Sequence, residues 1–158
     1  MTQTQDRTLR APDPFAVERP KLYSIGGIDI ATFLCSWFAG AFLIARNYHQ
    51  FGKPESARNA LLLGFAGIVC LSFAVFSVVV PERYEQALSA AIQGIQVLMV
   101  HLLAKRLQGR ALSNHVELGG TFYSRWRAAG VAVLLLPVVL ALMVAVALAF
   151  PQLPGIAK

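Results

Sequence analysis

The sequence predicts an all-α integral membrane protein, a bundle of four spanning helices over roughly 26–48, 60–80, 86–107 and 128–150. Hydrophobic residues make up 56% of the 158 residues and charged residues 14%, whereas soluble domains average about 25% charged residues. The mean hydropathy is +0.58, and the apolar residues form long runs. This composition excludes a disordered chain and an ordinary soluble enzyme, because too few polar residues remain to cover a soluble surface.

The N-terminal segment 1–24 is polar and rich in proline, which predicts a disordered tail ahead of a transmembrane domain over 25–158. The first span is built on sixteen uncharged residues, 30–45. Extension to Gly26 and Tyr48 supplies the roughly 20 residues that a span needs. Asp29 then lies in the first turn, where the helix dipole favours an acid. A proton or cation site is the alternative interpretation of Asp29.

The second and last spans follow from two longer uncharged runs. Residues 60–80 are 21 uncharged residues that end at Pro81. Residues 128–157 are 30 uncharged residues, and Pro151 and Pro154 place the end of this helix near Phe150. Pro137 lies inside the last span, where membrane helices tolerate a proline kink.

The third span, 86–107, is weaker because it carries Ser89, Gln93, Gln96 and His101. Two interpretations compete: a transmembrane helix with a polar stripe, and an amphipathic helix at the membrane surface. An interfacial helix needs a strongly charged face, and glutamines occupy this one, so a span is favoured.

The polar residues of this helix follow helical spacing. Glu85, Ser89, Gln93 and Gln96 recur at steps of four, four and three, and therefore share one face. Such a stripe faces protein or water rather than lipid. It lines a path for a polar substrate, or it makes interhelical hydrogen bonds of about 0.6 kcal/mol each. The sequence leaves both open.

Basic residues predict the topology. Four spans place two inter-helix loops on one side with eight Lys or Arg, namely Arg46, Lys53, Arg58, Lys105, Arg106, Arg110, Arg125 and Arg127. The opposite side has four, namely Arg19, Lys21, Arg83 and Lys158. The positive-inside rule then puts the loops in the cytoplasm and both termini outside, in a bacterial inner membrane. The expected partners of these basic side chains are anionic lipid headgroups, not nucleic acid.

The three histidines, His49, His101 and His115, fall on the loop side of the four-span arrangement with Glu55 and Glu117. Mixed histidine and carboxylate ligands bind zinc, and paired histidines bind haem. The usual ligand spacings do not occur, so we expect no metal and no other cofactor.

Two segments carry ordered sets of residue types. Residues 31–58 contain Thr-Phe, Ala-Gly, Asn and Gly in that order, and residues 107–130 contain Gln-Gly, His, Gly-Gly and Ser-x-Trp. In these orders the two segments resemble an uncharacterised family of small bacterial multi-pass membrane proteins. In this sequence the second motif is Gln108, Gly109, His115, Gly119, Gly120, Ser124 and Trp126. Where the family tends to have Gly-Gly-Pro, this chain has Cys35-Ser36-Trp37. The resemblance implies four helices with two paired loops, and it implies no activity.

The sequence lacks a nucleophile–base pair, a phosphate-binding loop and paired carboxylates at useful spacing. We therefore expect no catalytic residues and a non-enzymatic accessory or interaction subunit of a membrane complex, with another membrane protein or a second copy as partner. The alternative is a small oligomeric transporter or channel whose path is lined by the third helix. A haem- or metal-binding membrane subunit is the second alternative.

Overall fold

The structure, a computed structural model, describes residues 19–153. This part of the chain folds into five helices: α1 (Ile25–Leu34), α2 (Trp37–Gln50), α3 (Pro54–Ser77), α4 (Glu82–Glu117) and α5 (Arg125–Ala149). The all-α prediction is confirmed. Residues 1–18 of the predicted tail lie outside the described residues, whereas Leu22 and Tyr23 near its end are buried.

Three of the helices, α3, α4 and α5, are long and apolar enough to cross a membrane. Their 24, 36 and 25 residues correspond to lengths of about 36, 54 and 37 Å, against a hydrocarbon thickness of about 30 Å. The protein is therefore a multi-pass membrane protein. Helix α4 contains the third predicted span and continues, as predicted, towards the glycine turn at Gly119.

The predicted first span, 26–48, is not one helix. Helix α1 ends at Leu34, and Ser36 begins α2 because its hydroxyl accepts a hydrogen bond from the Phe38 amide at 3.2 Å. With 10 and 14 residues, the two helices are about 15 and 21 Å long, so neither can cross the bilayer alone. The prediction of a continuous span at this place is not confirmed.

Helices α1 and α2 fold back on each other as an antiparallel hairpin. At the open end of the hairpin, the backbone N–H and C=O of Tyr23, just before α1, both bond the Asn47 side chain near the end of α2, each at 2.8 Å. At the other end, Gly40 approaches Thr32 so closely that a Cβ at Gly40 would collide with the threonine hydroxyl. We call residues 34–37 the hairpin tip and the opposite end of the bundle the basal end.

Helix α3 runs antiparallel to α2 and continues past the hairpin tip. Gly64 lies against Ala41 and Phe38, and Gly67 lies against the Trp37 ring at the tip. Ser77, at the end of α3, is ten residues further along, or about 15 Å beyond the tip. The tip therefore stops near the middle of the apolar part of α3, and we call the end beyond it the distal end.

Helices α4 and α5 complete the bundle around the hairpin. Helix α4 descends past Gln96 at the tip to Gln108 beside Asn47 at the base. Helix α5 rises from the base, where Ala128 packs on Gly27. A buried core of residues from α1, α2, α4 and α5 fills the basal half, including Ile28, Ala31, Ala39, Leu43, Val100 and Ala132.

The distal half is more open than the basal half. Within residues 19–153, α4 packs closely on α1 and α2 and makes no close backbone approach to α3 or α5. Helices α3 and α5 stay together near the distal end, where the Phe73 and Phe150 rings meet edge to face at 5.8 Å. A cleft therefore separates α4 from the α3–α5 pair beyond the hairpin tip.

The hairpin changes the predicted topology. Because it returns to the side from which it starts, residue 19 lies at the basal end and residue 153 at the distal end, where four spans would put both on one side. Ten of the eleven Lys and Arg in the described chain lie at the basal end: Arg19, Lys21, Arg46, Lys53, Arg58, Lys105, Arg106, Arg110, Arg125 and Arg127. Arg83 lies at the distal end.

Candidate functional site

A cavity of about 460 Å³ occupies the cleft beyond the hairpin tip. Cys35 and Ser36 of the tip form its floor. Helices α3, α4 and α5 supply the walls, which include Ile68, Leu71, Ser72, Val75, Glu85, Ser89, Gln93, Gln96, Val139 and Met143. Its volume falls within the range of about 300–1,000 Å³ that is typical of small-molecule sites.

Two helix ends, the carboxyl end of α1 and the amino end of α2, lie at the cavity floor inside the membrane domain. The last carbonyl groups of α1 and the first N–H groups of α2 have no partner within their own helices. In hydrocarbon each such group would cost several kcal/mol. The structure therefore has to supply partners from elsewhere, and it does so from α4.

Gln93 bonds the carboxyl end of α1. Its side-chain amide donates to the carbonyl oxygens of Thr32 and Phe33, at 3.1 and 2.7 Å. Two orphan acceptors at the hairpin tip are satisfied by this one side chain.

Gln96 bonds the amino end of α2. Its carbonyl oxygen accepts from the Trp37 backbone N–H at 3.0 Å, and the side chain is buried. Because 93 and 96 are one helical turn apart on α4, a single face of that helix holds both broken ends. These two glutamines supply hydrogen-bond partners to both broken helix ends at the hairpin tip.

Each glutamine keeps one polar atom that these bonds do not use. The side-chain oxygen of Gln93 and the side-chain nitrogen of Gln96 have no hydrogen-bond partner among residues 19–153, and the same holds for the Glu85 carboxylate and the Ser89 hydroxyl. All four side chains line the cavity. A ligand there would meet one acceptor, one donor, a hydroxyl and a carboxylate along α4.

The structure thus brings together Ser89, Gln93 and Gln96 of the predicted polar stripe, and it separates His101 from them. His101 lies outside the cavity with its Nδ1 2.9 Å from the Asp29 carboxylate, on the outer side of α1 and α4. The other oxygen of Asp29 is buried and has no partner within the described chain. Sequence reasoning placed Asp29 in a first turn by itself and missed this contact between residues 72 positions apart.

The motif taken from the family resemblance forms the basal end. Gln108 is fully buried and bridges α4 to α2, donating to the Ile44 carbonyl at 2.8 Å and accepting from the Asn47 amide at 3.1 Å. The neighbouring Gly109 lies on the same helix without a close contact across the bundle. Asn47 was missed as a functional position, although the resemblance contains an asparagine at that point.

The remaining motif residues build the turn between α4 and α5. Gly119 has φ +82°, a left-handed conformation that suits glycine after a helix end. The buried His115 ring packs on Gly120, and its Nε2 lies 3.3 Å from the Thr121 carbonyl. The Ser124 hydroxyl accepts from the Trp126 amide at 3.3 Å and begins α5, while the Trp126 ring is 86% exposed. Leu22 pairs with this turn and anchors the start of the hairpin.

The histidines do not converge. Among residues 19–153, no group of three His, Cys, Asp or Glu side chains is placed to hold a metal ion. His101 and His115 contact Asp29 and the Thr121 carbonyl, respectively.

The helix break was the main feature that the sequence analysis missed. The break falls at Cys35-Ser36-Trp37. Serine is a favoured N-cap residue, so Ser36 is the signal in the sequence that could have indicated a helix start within the predicted span.

Comparisons with protein-family models, with curated proteins and with solved structures gave no match. The resemblance to a particular family therefore stays a prediction. Its coarser implication, a small helical multi-pass membrane protein, is confirmed by the three long apolar helices.

Proposed function

We propose that this protein is a small-solute transporter that binds its solute in the cavity beyond the hairpin tip. The observation that carries the proposal is the pair of helix ends, held by Gln93 and Gln96 in the middle of the apolar domain, beside a cavity of about 460 Å³. Irregular backbone at membrane depth is tolerated where it is buried in protein or lines a water-filled cavity. Transporters build their midplane sites from broken helices of this kind.

The proposal includes an arrangement of three spans and one re-entrant hairpin in place of four spans. With this arrangement ten of the basic residues within 19–153 collect at the basal end and one lies at the distal end. The positive-inside rule favours a cytoplasmic basal end with this distribution. The cavity then opens to the outer side of a bacterial inner membrane, and the buried core of the hairpin closes it from the cytoplasm.

The two native cysteines provide the test. Cys35 lies on the cavity floor, whereas Cys70 is exposed on α3 away from the cavity lining. We expect an uncharged, hydrophilic, membrane-impermeant thiol reagent to modify Cys35 in a Cys70→Ser variant, from the outer face of intact cells. The Cys35→Ser variant, which keeps Cys70, is the matched control. It should stay unmodified, because Cys70 lies within the apolar span α3, where in the proposed arrangement its exposed surface meets lipid and a hydrophilic reagent does not reach it.

Transport also requires access from the other side. In inside-out vesicles the same reagent should reach Cys35 more slowly, because the closed basal half has to open first. Modification from the distal side alone would mean a binding pocket without transport. No modification from either side would mean that lipid or packed side chains fill the cavity, and the proposal would fail.

A separate observation favours a second function, that of a subunit in a membrane complex. The contact between His101 and Asp29 is partly exposed, with side-chain exposures of 41% and 25%. Polar pairs inside a membrane rarely face lipid, so a partner surface over this pair is expected. Chemical crosslinking of a cysteine at Phe33, an exposed neighbour on α1, should capture that partner or a second copy. Recovery as an uncrosslinked monomer would count against this function.

A further inference from the structure

The walls of the cavity differ in chemistry. The α4 wall carries polar side chains from Glu85 near the distal end to Gln93 and Gln96 at the tip, with Leu88 and Ile92 between them. From residue 85 to residue 96 the helix rises about 16 Å. The opposite wall, from α3 and α5, is mainly aliphatic and includes Ile68, Leu71, Val75, Val139 and Met143. A molecule that fits this cavity is polar along one side and apolar along the other.

Glu85 determines the sign of the charge in the cavity. It is the one charged side chain among the described residues that line the cavity. Arg83 is close in sequence, but its guanidinium lies over the Tyr84 ring at 4.7 Å rather than along the cavity. The Glu85 carboxylate has no ion-pair partner within residues 19–153. It is therefore available to a cationic ligand.

The dipoles of α1 and α2 at the cavity floor do not reverse the negative sign that Glu85 gives to the cavity. The amino end of α2 carries a partial positive charge and the carboxyl end of α1 a partial negative charge. The two ends meet at the hairpin tip, where Gln93 and Gln96 already bond both of them. Their fields largely cancel in the cavity, and the Glu85 carboxylate remains as the net charge.

We propose that the ligand of this cavity is an amphipathic organic monocation, such as an alkyl or aryl amine. Its ammonium group pairs with Glu85 near the mouth, and its apolar body lies against α3 and α5. A neutral polar group on the ligand can use the free oxygen of Gln93 and the free nitrogen of Gln96. This inference rests on the proposed function, because it assigns a substrate class to the same cavity.

Modification of Cys35 by charged reagents tests the sign of the charge. A cationic and an anionic methanethiosulfonate are applied to the Cys70→Ser protein from the distal side, and each rate is divided by the rate of that reagent with a free thiol in buffer. A cleft lined by one sign of charge concentrates counter-ions by about tenfold or more. We therefore expect a cationic preference of about tenfold at Cys35.

Glu85→Gln should abolish this preference while leaving access to Cys35 intact. Glu82→Gln is the matched control, because Glu82 is an acid of the same helical turn that does not line the cavity. It should keep the preference. Folding of both variants is checked by the elution of the purified protein on size exclusion.

Protection by simple ligands tests the substrate class. Hexylammonium should slow the modification of Cys35 by the uncharged reagent, whereas hexanoate and hexanol at equal concentration should not. Protection by hexylammonium should disappear in Glu85→Gln.

The outcomes separate the two proposals. If no reagent reaches Cys35, the transporter proposal fails, and the ligand class fails with it. If both charged reagents reach Cys35 at equal normalised rates, or if hexanoate protects as well as hexylammonium, the cation preference is wrong and the transporter proposal stands.

Discussion

Replacement of Gln96 by leucine tests whether the hairpin tip depends on α4. The substitution removes the acceptor of the Trp37 backbone N–H, a bond of 3.0 Å at a side chain that is 9% exposed. An unsatisfied buried donor costs about 1–3 kcal/mol, whereas interhelical hydrogen bonds in membrane proteins average about 0.6 and reach about 1.7 kcal/mol. The average energy of these interhelical bonds is low because a side chain that loses its partner can bond another group. A backbone N–H fixed at a helix end cannot turn to another partner.

We therefore expect a value near the upper end of that range, a loss of about 1.5 kcal/mol in the free energy of unfolding. The corresponding change in the folding equilibrium is about tenfold. Reversible unfolding in mixed detergent micelles, followed by circular dichroism, measures the loss.

The matched control is Gln86→Leu, the same substitution on the same helix. Gln86 is exposed and has no side-chain hydrogen bond among residues 19–153, so its replacement should change stability by less than about 0.5 kcal/mol. Equal effects of Gln96→Leu and Gln86→Leu would refute the reasoning. The tip would then be stabilised by packing alone.

Three further predictions concern the base, the packing and the topology. Asn47→Leu removes three buried hydrogen bonds to Tyr23 and Gln108 and should cost about 2–4 kcal/mol in the same unfolding assay, whereas the exposed Asn59→Leu should cost little. Gly40→Ala forces a Cβ into the Thr32 side chain and should destabilise by about 1–3 kcal/mol, unlike Gly94→Ala, which meets open space. Phosphatase fusions to the two ends of the chain should report opposite sides of the membrane, and equal activity at both ends would favour four spans.

The positions of the apolar helices could be predicted from sequence because hydrophobic length is a local property. The uncharged run at 60–80 lies within and just after α3, and the run at 128–157 contains most of α5. Each of these segments is long enough by itself to require a crossing. The first segment is different, since its sixteen uncharged residues reached the length of a span only by extension at both ends.

The hairpin could not be predicted from that run because its cause lies elsewhere in the chain. An apolar segment of this length can cross the membrane, or it can enter and return, at similar cost in hydrophobic burial. The difference is whether the broken helix ends find partners. Gln93 and Gln96 supply these hydrogen-bond partners from about 60 residues away in sequence. The periodicity of the first segment therefore does not indicate that its helix ends have partners.

The polar stripe on α4 could be predicted as a shared face. From sequence, a path for a polar substrate and interhelical hydrogen bonding stand as alternatives, although one side chain can serve both. Gln93 makes interhelical bonds through its side-chain nitrogen and also lines the cavity. Gln96 makes one through its side-chain oxygen and lines the cavity as well. A glutamine has both a donor and an acceptor, so one residue can hold the scaffold and meet a ligand. His101 lies about 80° around the helix from Gln93 by the 100° period per residue, and it contacts Asp29 of α1.

Under the proposed function, this dual use links stability to ligand binding. Helix α4 is held to the rest of the bundle through the hairpin, and in the distal half it has no close backbone contact with α3 or α5 in the described chain. A ligand between α4 and the α3–α5 pair supplies contacts that the distal half otherwise lacks. Any molecule that binds the folded state and not the unfolded state raises the free energy of unfolding. Ligand binding and the bonds at the tip therefore stabilise the same position of α4, and a change that loosens the tip should weaken binding as well, even where the altered atom never touches the ligand.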